Sequence, residues 1–192
     1  MKFDIATSSA HTGMNPVHRV RQAQTDDVSR LAVLATQVFL HTYATEGVSF
    51  SISSFVLDEL TPAKFAALLQ DPCVLILVAE TGDNLVGLAV LRFDTSCPNA
   101  PSVSVELQTL YVQEHFVGQG IGTSLLEEAQ ALAKLRSSSV LWLTVNARND
   151  SAISFYTRRS YLKIGVFDFV LGGVGHANHV MVQVSTASPP AT

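Results

Sequence analysis

The sequence predicts an α/β (α+β) domain with a single mixed, mostly antiparallel sheet of about seven strands and helices on both faces. Three observations predict it. β-rich runs alternate with helically spaced apolar residues along the chain. Two of those runs, 74–80 and 85–93, flank Thr81-Gly82-Asp83-Asn84 and read as an antiparallel hairpin. Later a strand, a glycine-rich turn, a helix and the apolar strand 140–145 follow one another, the order that adds a parallel neighbour to such a sheet.

The elements can be justified in order. After a short strand at 17–23, Thr25 reads as a cap for a helix with Asp26 and Asp27 in its first turn, near the positive end of the dipole. Val28, Leu31, Ala35, Val38, Phe39 and Thr42 then give that helix one buried face. Thr61-Pro62 starts another helix running to about Gln70, since proline at the first position gives up only an N–H that lacked an intrahelical partner. A loop at 94–101 precedes a strand at 102–112, and a helix is predicted over 120–136. A short capped helix at 149–160 leads to two last strands at 161–171 and 179–184.

Bulk properties bound the function. At 192 residues, 47% apolar and 15% charged, the chain is one well-packed domain expected over 17–184, with loose tails at 1–16 and 185–192. A net charge of −4, with scattered cations, lacks the basic stripe that a phosphate backbone requires, so nucleic acid is not an expected partner. No run approaches a membrane span or a secretory leader, and two distant cysteines, Cys73 and Cys97, suit a reducing compartment. A cytoplasmic protein is expected, with no membrane partner.

The segment Val117-Gly118-Gln119-Gly120-Ile121-Gly122-Thr123 carries the strongest chemical signal. Alternating glycines at a helix start leave backbone N–H groups unshielded where the dipole is positive, as a diphosphate needs. A nucleotide-binding Gly-Lys-Ser/Thr loop is absent, and Thr123 stands where a dinucleotide fingerprint needs its third glycine. A second segment, Asn149-Asp150-Ser151-Ala152-Ile153-Ser154-Phe155-Tyr156, follows the strand ending Thr144-Val145-Asn146.

Together the two segments resemble the GNAT superfamily of N-acetyltransferases. The turn is similar to its Arg/Gln-x-x-Gly-x-Gly/Ala motif and residues 149–156 to its Asn-x-x-Ala-x-x-Phe-Tyr motif, in the family's order and spacing. Val117 departs from Arg/Gln, and Ser160-Tyr161 from the usual Gly-Phe. Phe39-x-x-Thr42-Tyr43, Glu106-Leu107-x-x-Leu110-Tyr111-Val112 and Phe169-Val170-Leu171-Gly172 resemble the PaiA-like spermidine/spermine acetyltransferase subgroup, although Ala177-Asn178-His179 lacks an aspartate often found there.

The resemblance implies a sheet splayed at its centre and acetyl-CoA as cosubstrate, held by Leu110, Tyr111 and Val112 along the splayed strand, by residues 117–123 and by Asn149 and Tyr156. It implies a small-molecule primary amine, such as a polyamine, as acceptor, near Phe39, Tyr43 and Glu106. A homodimer is compatible with it. Two other classes stay open: a non-catalytic acyl-CoA-binding module, and an acetyltransferase of protein amino termini or lysines.

Acetyl transfer needs a neutral amine, donors for the carbonyl oxygen and a proton for the thiolate. Tyr156, with an ordinary pKa of about 10, suits the last task, and the alternative is a packed core tyrosine. Glu106 is the candidate base, acting through water, because a carboxylate in an apolar strand has a raised pKa; the alternative is an exposed strand residue. Asn149 is a helix cap, a cofactor contact or both. Arg158 and Arg159 read as a solvated helix face. His176 and His179 have a metal-compatible spacing but no third ligand, and the glycines beside them suggest a loop, so no metal is expected.

Overall fold

The computed structural model describes residues 18–137, 140–171 and 174–184. The predicted tails, Val17 and Gly172 lie outside them. The elements run β1 Arg19–Gln22, α1 Val28–Tyr43, α2 Phe50–Glu59, α3 Pro62–Gln70, β2 Val74–Thr81, β3 Asn84–Arg92, β4 Val105–Val112, α4 Ile121–Ser137, β5 Leu141–Asn146, α5 Asp150–Thr157, β6 Tyr161–Leu171 and β7 Val174–Gln183. The seven strands form one sheet in the order β1-β2-β3-β4-β5-β7-β6. Among the described residues only β4 and β5 pair in parallel.

The apolar run of β3 alternates between two cores. Val86, Ala89 and Leu91 meet Ile121, Leu125, Leu126, Ala129 and Ala133 of α4. Leu88 and Val90 meet Leu31, Ala32, Leu34 and Ala35 of α1 and Phe65 of α3. Burial on both faces is why this stretch carries no polar alternation. Gly87 seats α4: a Cβ there would stand 3.0 Å from Leu125 and from the Tyr111 carbonyl, and 3.1 Å from Ile121. The absence of that carbon lets the first turns of α4 approach the strand.

Several expectations are corrected. Thr25 is not the cap of α1. It opens a short 3₁₀ turn, and Asp27 reaches back to accept from the Gln24 N–H at 2.8 Å. Asp27 is also buried, ion-paired with Arg21 at 2.7 Å and Arg30 at 2.5 Å, so its charge is held by cations and not only by a dipole. Thr42 lies on the exposed side of α1. Helix α2 was not expected; Ser49 caps it by accepting from the Ile52 N–H, but Ser51, Ser53 and Ser54 weaken its periodic signal, and of its residues only Ile52 is fully buried. β4 starts at Val105, and β7 starts at Val174, so His176 and His179 stand in a strand. Thr61 caps α3 as predicted, accepting from the Lys64 N–H.

Candidate active site

The site begins where the sheet opens. β4 and β5 are in register only at Val105 with Leu141 and Glu106 with Trp142. Beyond that point residues 107–112 pair on the β3 side alone. A register shift opposite Val90 and Leu91 leaves Gln108 unpaired there too, a bulge that bends the strand as it leaves β5. Leu110, Tyr111 and Val112 therefore line one wall of a gap in the sheet.

The glycine turn lies at the end of that wall. Gly118 and Gly120 have φ of +83° and +85°, a conformation costly for a residue with a Cβ. The first i to i−4 bond of α4 runs from the Ser124 N–H to the Gly120 carbonyl. The N–H groups of Gly118, Gly120, Ile121, Gly122 and Thr123 have no partner among the described residues. Gln119 turns its side chain inward, donating to the His115 carbonyl at 2.9 Å, and Val117 is an apolar side chain 63% exposed. The turn offers a ring of backbone donors at a positive helix end.

Tyr156, on α5, packs against Tyr161 and Phe155 with ring centroids 5.5 and 5.2 Å away. Its ring is buried, yet its hydroxyl makes no hydrogen bond among the described residues and is not a sealed-off polar atom, so it retains contact with solvent. The Acetyltransferase (GNAT) family matches residues 40–161, a span that holds the splayed strand, the glycine turn and this tyrosine. The chain belongs to the GNAT family.

It is accordingly an acetyl-CoA-dependent N-acetyltransferase. An uncharacterized N-acetyltransferase of Mycobacterium tuberculosis is 32% identical over 158 residues, covering 82% of this chain and 97% of that protein. The N-alpha-acetyltransferase RimI of the same organism is 29% identical over 109 residues, 57% of this chain and 65% of that one. In fold, the chain is similar to the crystal structure of PaiA N-acetyltransferase from Thermoplasma acidophilum in complex with coenzyme A, with a TM-score of 0.68, 22% identity, and coverage of 87% of this chain and 98% of that one.

Within this GNAT domain, burial is the first cause that pushes the Tyr156 phenol above its ordinary range, followed by Tyr161 and Tyr43. Burial and then Tyr43 do the same to Tyr111. Tyr43 thus sits close enough to act on both Tyr111 and Tyr156, joining the end of α1 to the gap. Burial also raises the Glu106 carboxyl, against a smaller opposing pull from Arg92, its cross-strand partner. The Glu106 carboxylate has no ion pair or hydrogen bond among the described residues, whereas Arg92 pairs with Asp71 at 3.4 Å.

Phe39 is buried and Tyr43 is 40% exposed, with their rings 4.7 Å apart. Phe55 of α2, missed by the sequence reading, extends this group: it stacks on Phe39 at 4.6 Å and meets Phe169 of β6, a residue of the Phe169-Val170-Leu171-Gly172 segment, edge-on at 6.5 Å. Phe55 carried no signal because the contacts join three separate elements. Asn149 caps α5, accepting from the Ala152 N–H at 3.0 Å. Arg159 is not a solvated residue as expected. Half-buried, it lies 3.8 Å over the Phe155 ring and donates to the Phe155 carbonyl and to the Thr123 hydroxyl, while Arg158 is exposed. His18, also missed, lies 2.8 Å from the Ser124 hydroxyl beside Gly120.

Proposed function

We propose that this GNAT enzyme acetylates a small primary amine of the polyamine kind by direct attack, with Tyr156 as general acid and Glu106 as base through water. The parting of β4 from β5 carries the reading, because it frees backbone groups along a strand whose Leu110 and Val112 pack against the core that holds Tyr156. The pantetheine arm runs along Leu110, Tyr111 and Val112 like an added strand, and the N–H groups from Gly118 to Thr123 take the diphosphate. Asn149 contributes its side-chain amide N–H while its oxygen caps α5.

The amine nitrogen attacks the thioester carbon, the C–N bond forms and the C–S bond breaks. Backbone donors in the gap stabilise the oxygen as charge builds on it. Glu106, its affinity for a proton raised by burial, takes the amine's proton through water, and Tyr156 gives its phenolic proton to the sulfur. A phenol with a raised pKa stays protonated at working pH and is the weaker acid, so transfer is completed as the desolvated thiolate leaves. Phe39 and Tyr43, extended by Phe55 and Phe169, form the acceptor side, where aromatic faces and the Glu106 carboxylate favour a cationic amine.

Thiol release from acetyl-CoA with spermidine, arylalkylamines, a lysine peptide and peptide amino termini tests this. Spermidine is expected to give the highest kcat/KM. A panel won by peptide amino termini would favour the reading suggested by the RimI relative. Acetyl-CoA binding without thiol release across the panel would make the chain a binding module.

A further inference from the structure

We propose that Arg159 supplies the side-chain cation of the diphosphate site, reaching in from the end of α5 to a turn whose own residues provide none. This deepens the acetyl-CoA reading and rests on it. Val117, Gly118, Gly120, Ile121 and Gly122 have no polar side-chain group, and Gln119 is engaged with the His115 carbonyl. Five N–H groups alone would face two phosphate charges.

Arg159 stands beside those donors. One terminal nitrogen donates to the hydroxyl oxygen of Thr123, whose own N–H is among the unpartnered ones, and the other donates to the Phe155 carbonyl at 3.0 Å. The central carbon of the guanidinium lies over the Phe155 ring, 3.8 Å from its centre. That ring in turn packs 3.6 Å from where a Cβ of Gly122 would be. Arginine, ring and turn are therefore stacked, and the cation is fixed before any ligand arrives, which lowers the ordering cost of binding.

Two features point to an anion. No carboxylate lies within ion-pair distance of Arg159 among the described residues, although Arg21, Arg30 and Arg92 each have one. A half-buried guanidinium without a counter-charge is a place for an anionic ligand. The Thr123 hydroxyl, accepting from Arg159, has its own proton free to donate, so the two side chains and the backbone N–H groups form one donor set.

Calorimetric titration of coenzyme A into wild type, Arg159→Gln and Arg159→Lys tests the assignment. Glutamine retains a donor for Thr123 and the Phe155 carbonyl, and lysine retains the charge. Arg159→Gln is expected to weaken coenzyme A about ten- to a hundredfold, the range for a hydrogen bond to a charged group, and to flatten the salt dependence of Kd. Arg159→Lys is expected to recover most of the loss. The loss should be equal for 3′-dephospho-coenzyme A, which keeps the diphosphate. Unchanged coenzyme A affinity in Arg159→Gln, with or without a fall in melting temperature, would reduce Arg159 to a clamp between α4 and α5 and overturn the proposal. A loss confined to ligands bearing the 3′-phosphate would overturn the diphosphate assignment. If wild type binds no coenzyme A, the acetyl-CoA reading of the turn falls as well.

Discussion

Tyr156 and Glu106 illustrate how little of a residue's role lies in its type. A core tyrosine at the end of an apolar helical face ordinarily finds a partner for its hydroxyl. Tyr156 has none among the described residues and keeps solvent contact, which distinguishes it from Tyr161, whose hydroxyl accepts from Gln130 at 3.2 Å. Tyr156→Phe is expected to lower kcat by about 10² to 10⁴, the usual worth of general acid catalysis, with acetyl-CoA affinity within about threefold of wild type. Rapid-quench turnover with calorimetric affinity checks this. Wild-type chemistry in the variant would return Tyr156 to the core.

As the proposed base, Glu106 must be ionised to accept a proton, and burial raises its pKa while Arg92 partly opposes that rise. With an acceptor already neutral over the range, kcat/KM should climb as pH rises through a value above the ordinary carboxylate range. Glu106→Gln should remove that limb and lower the plateau. Arg92→Met removes the opposing charge, so the limb should move to higher pH. A profile unchanged in both variants would assign the base elsewhere.

At the scale of elements, the sheet was legible because continuous β-rich apolar runs and the hairpin turn at Gly82-Asp83 are local signals. The glycine turn was legible for a similar reason, since φ values of +83° and +85° leave glycine as the ready choice at 118 and 120. Helix α2 was not, because three serines blur its apolar face. Arg159 was not either: its partner Thr123 lies 36 residues away, and nothing local separates a stacked guanidinium from a solvated one. The three glycines of the turn make a further test. Gly122 has no positive φ, and a Cβ there would meet Phe155 and Val112 at an ordinary 3.6 Å. Gly122→Ala should therefore keep both stability, within about 0.5 kcal/mol, and the rise in melting temperature that acetyl-CoA produces. Gly120→Val should cost about 1–2 kcal/mol through left-handed strain and abolish that rise. Thermal scans with and without acetyl-CoA check both, and loss of the ligand effect in Gly122→Ala alone would relocate the anion site.

At the scale of the whole molecule, the buried carboxylate of Asp27 ties the start of the chain to the sheet. It receives two hydrogen bonds from Arg21 of β1, at 2.7 and 3.0 Å, one from Arg30 of α1 and one from the Gln24 N–H. Arg21 also bonds Glu80 of β2 at 2.8 Å, and Arg30 reaches the Asp83 carbonyl at 3.0 Å in the β2–β3 turn. The Arg21 hydrogen bond leads the causes that hold the Asp27 carboxyl below its ordinary 3.8, outweighing the effect of burial. Because the folded-state value is lowered, folding favours the ionised form. The contribution is fully present above pH 3.8 and is lost as pH falls below it through the folded-state value. Asp27→Asn leaves two guanidinium groups facing a neutral amide. At neutral pH it should cost about 3 kcal/mol, the lower end for breaking a buried pair, which is about 6–12 °C in melting temperature for a domain of this size. As pH falls from 3.8 through the lower folded-state value the wild type loses this advantage, so the two melting temperatures should converge over that range. A gap that stays constant from neutral pH into that acid range would mean that Asp27 stabilises through shape and packing, and that its ion pairs contribute nothing net.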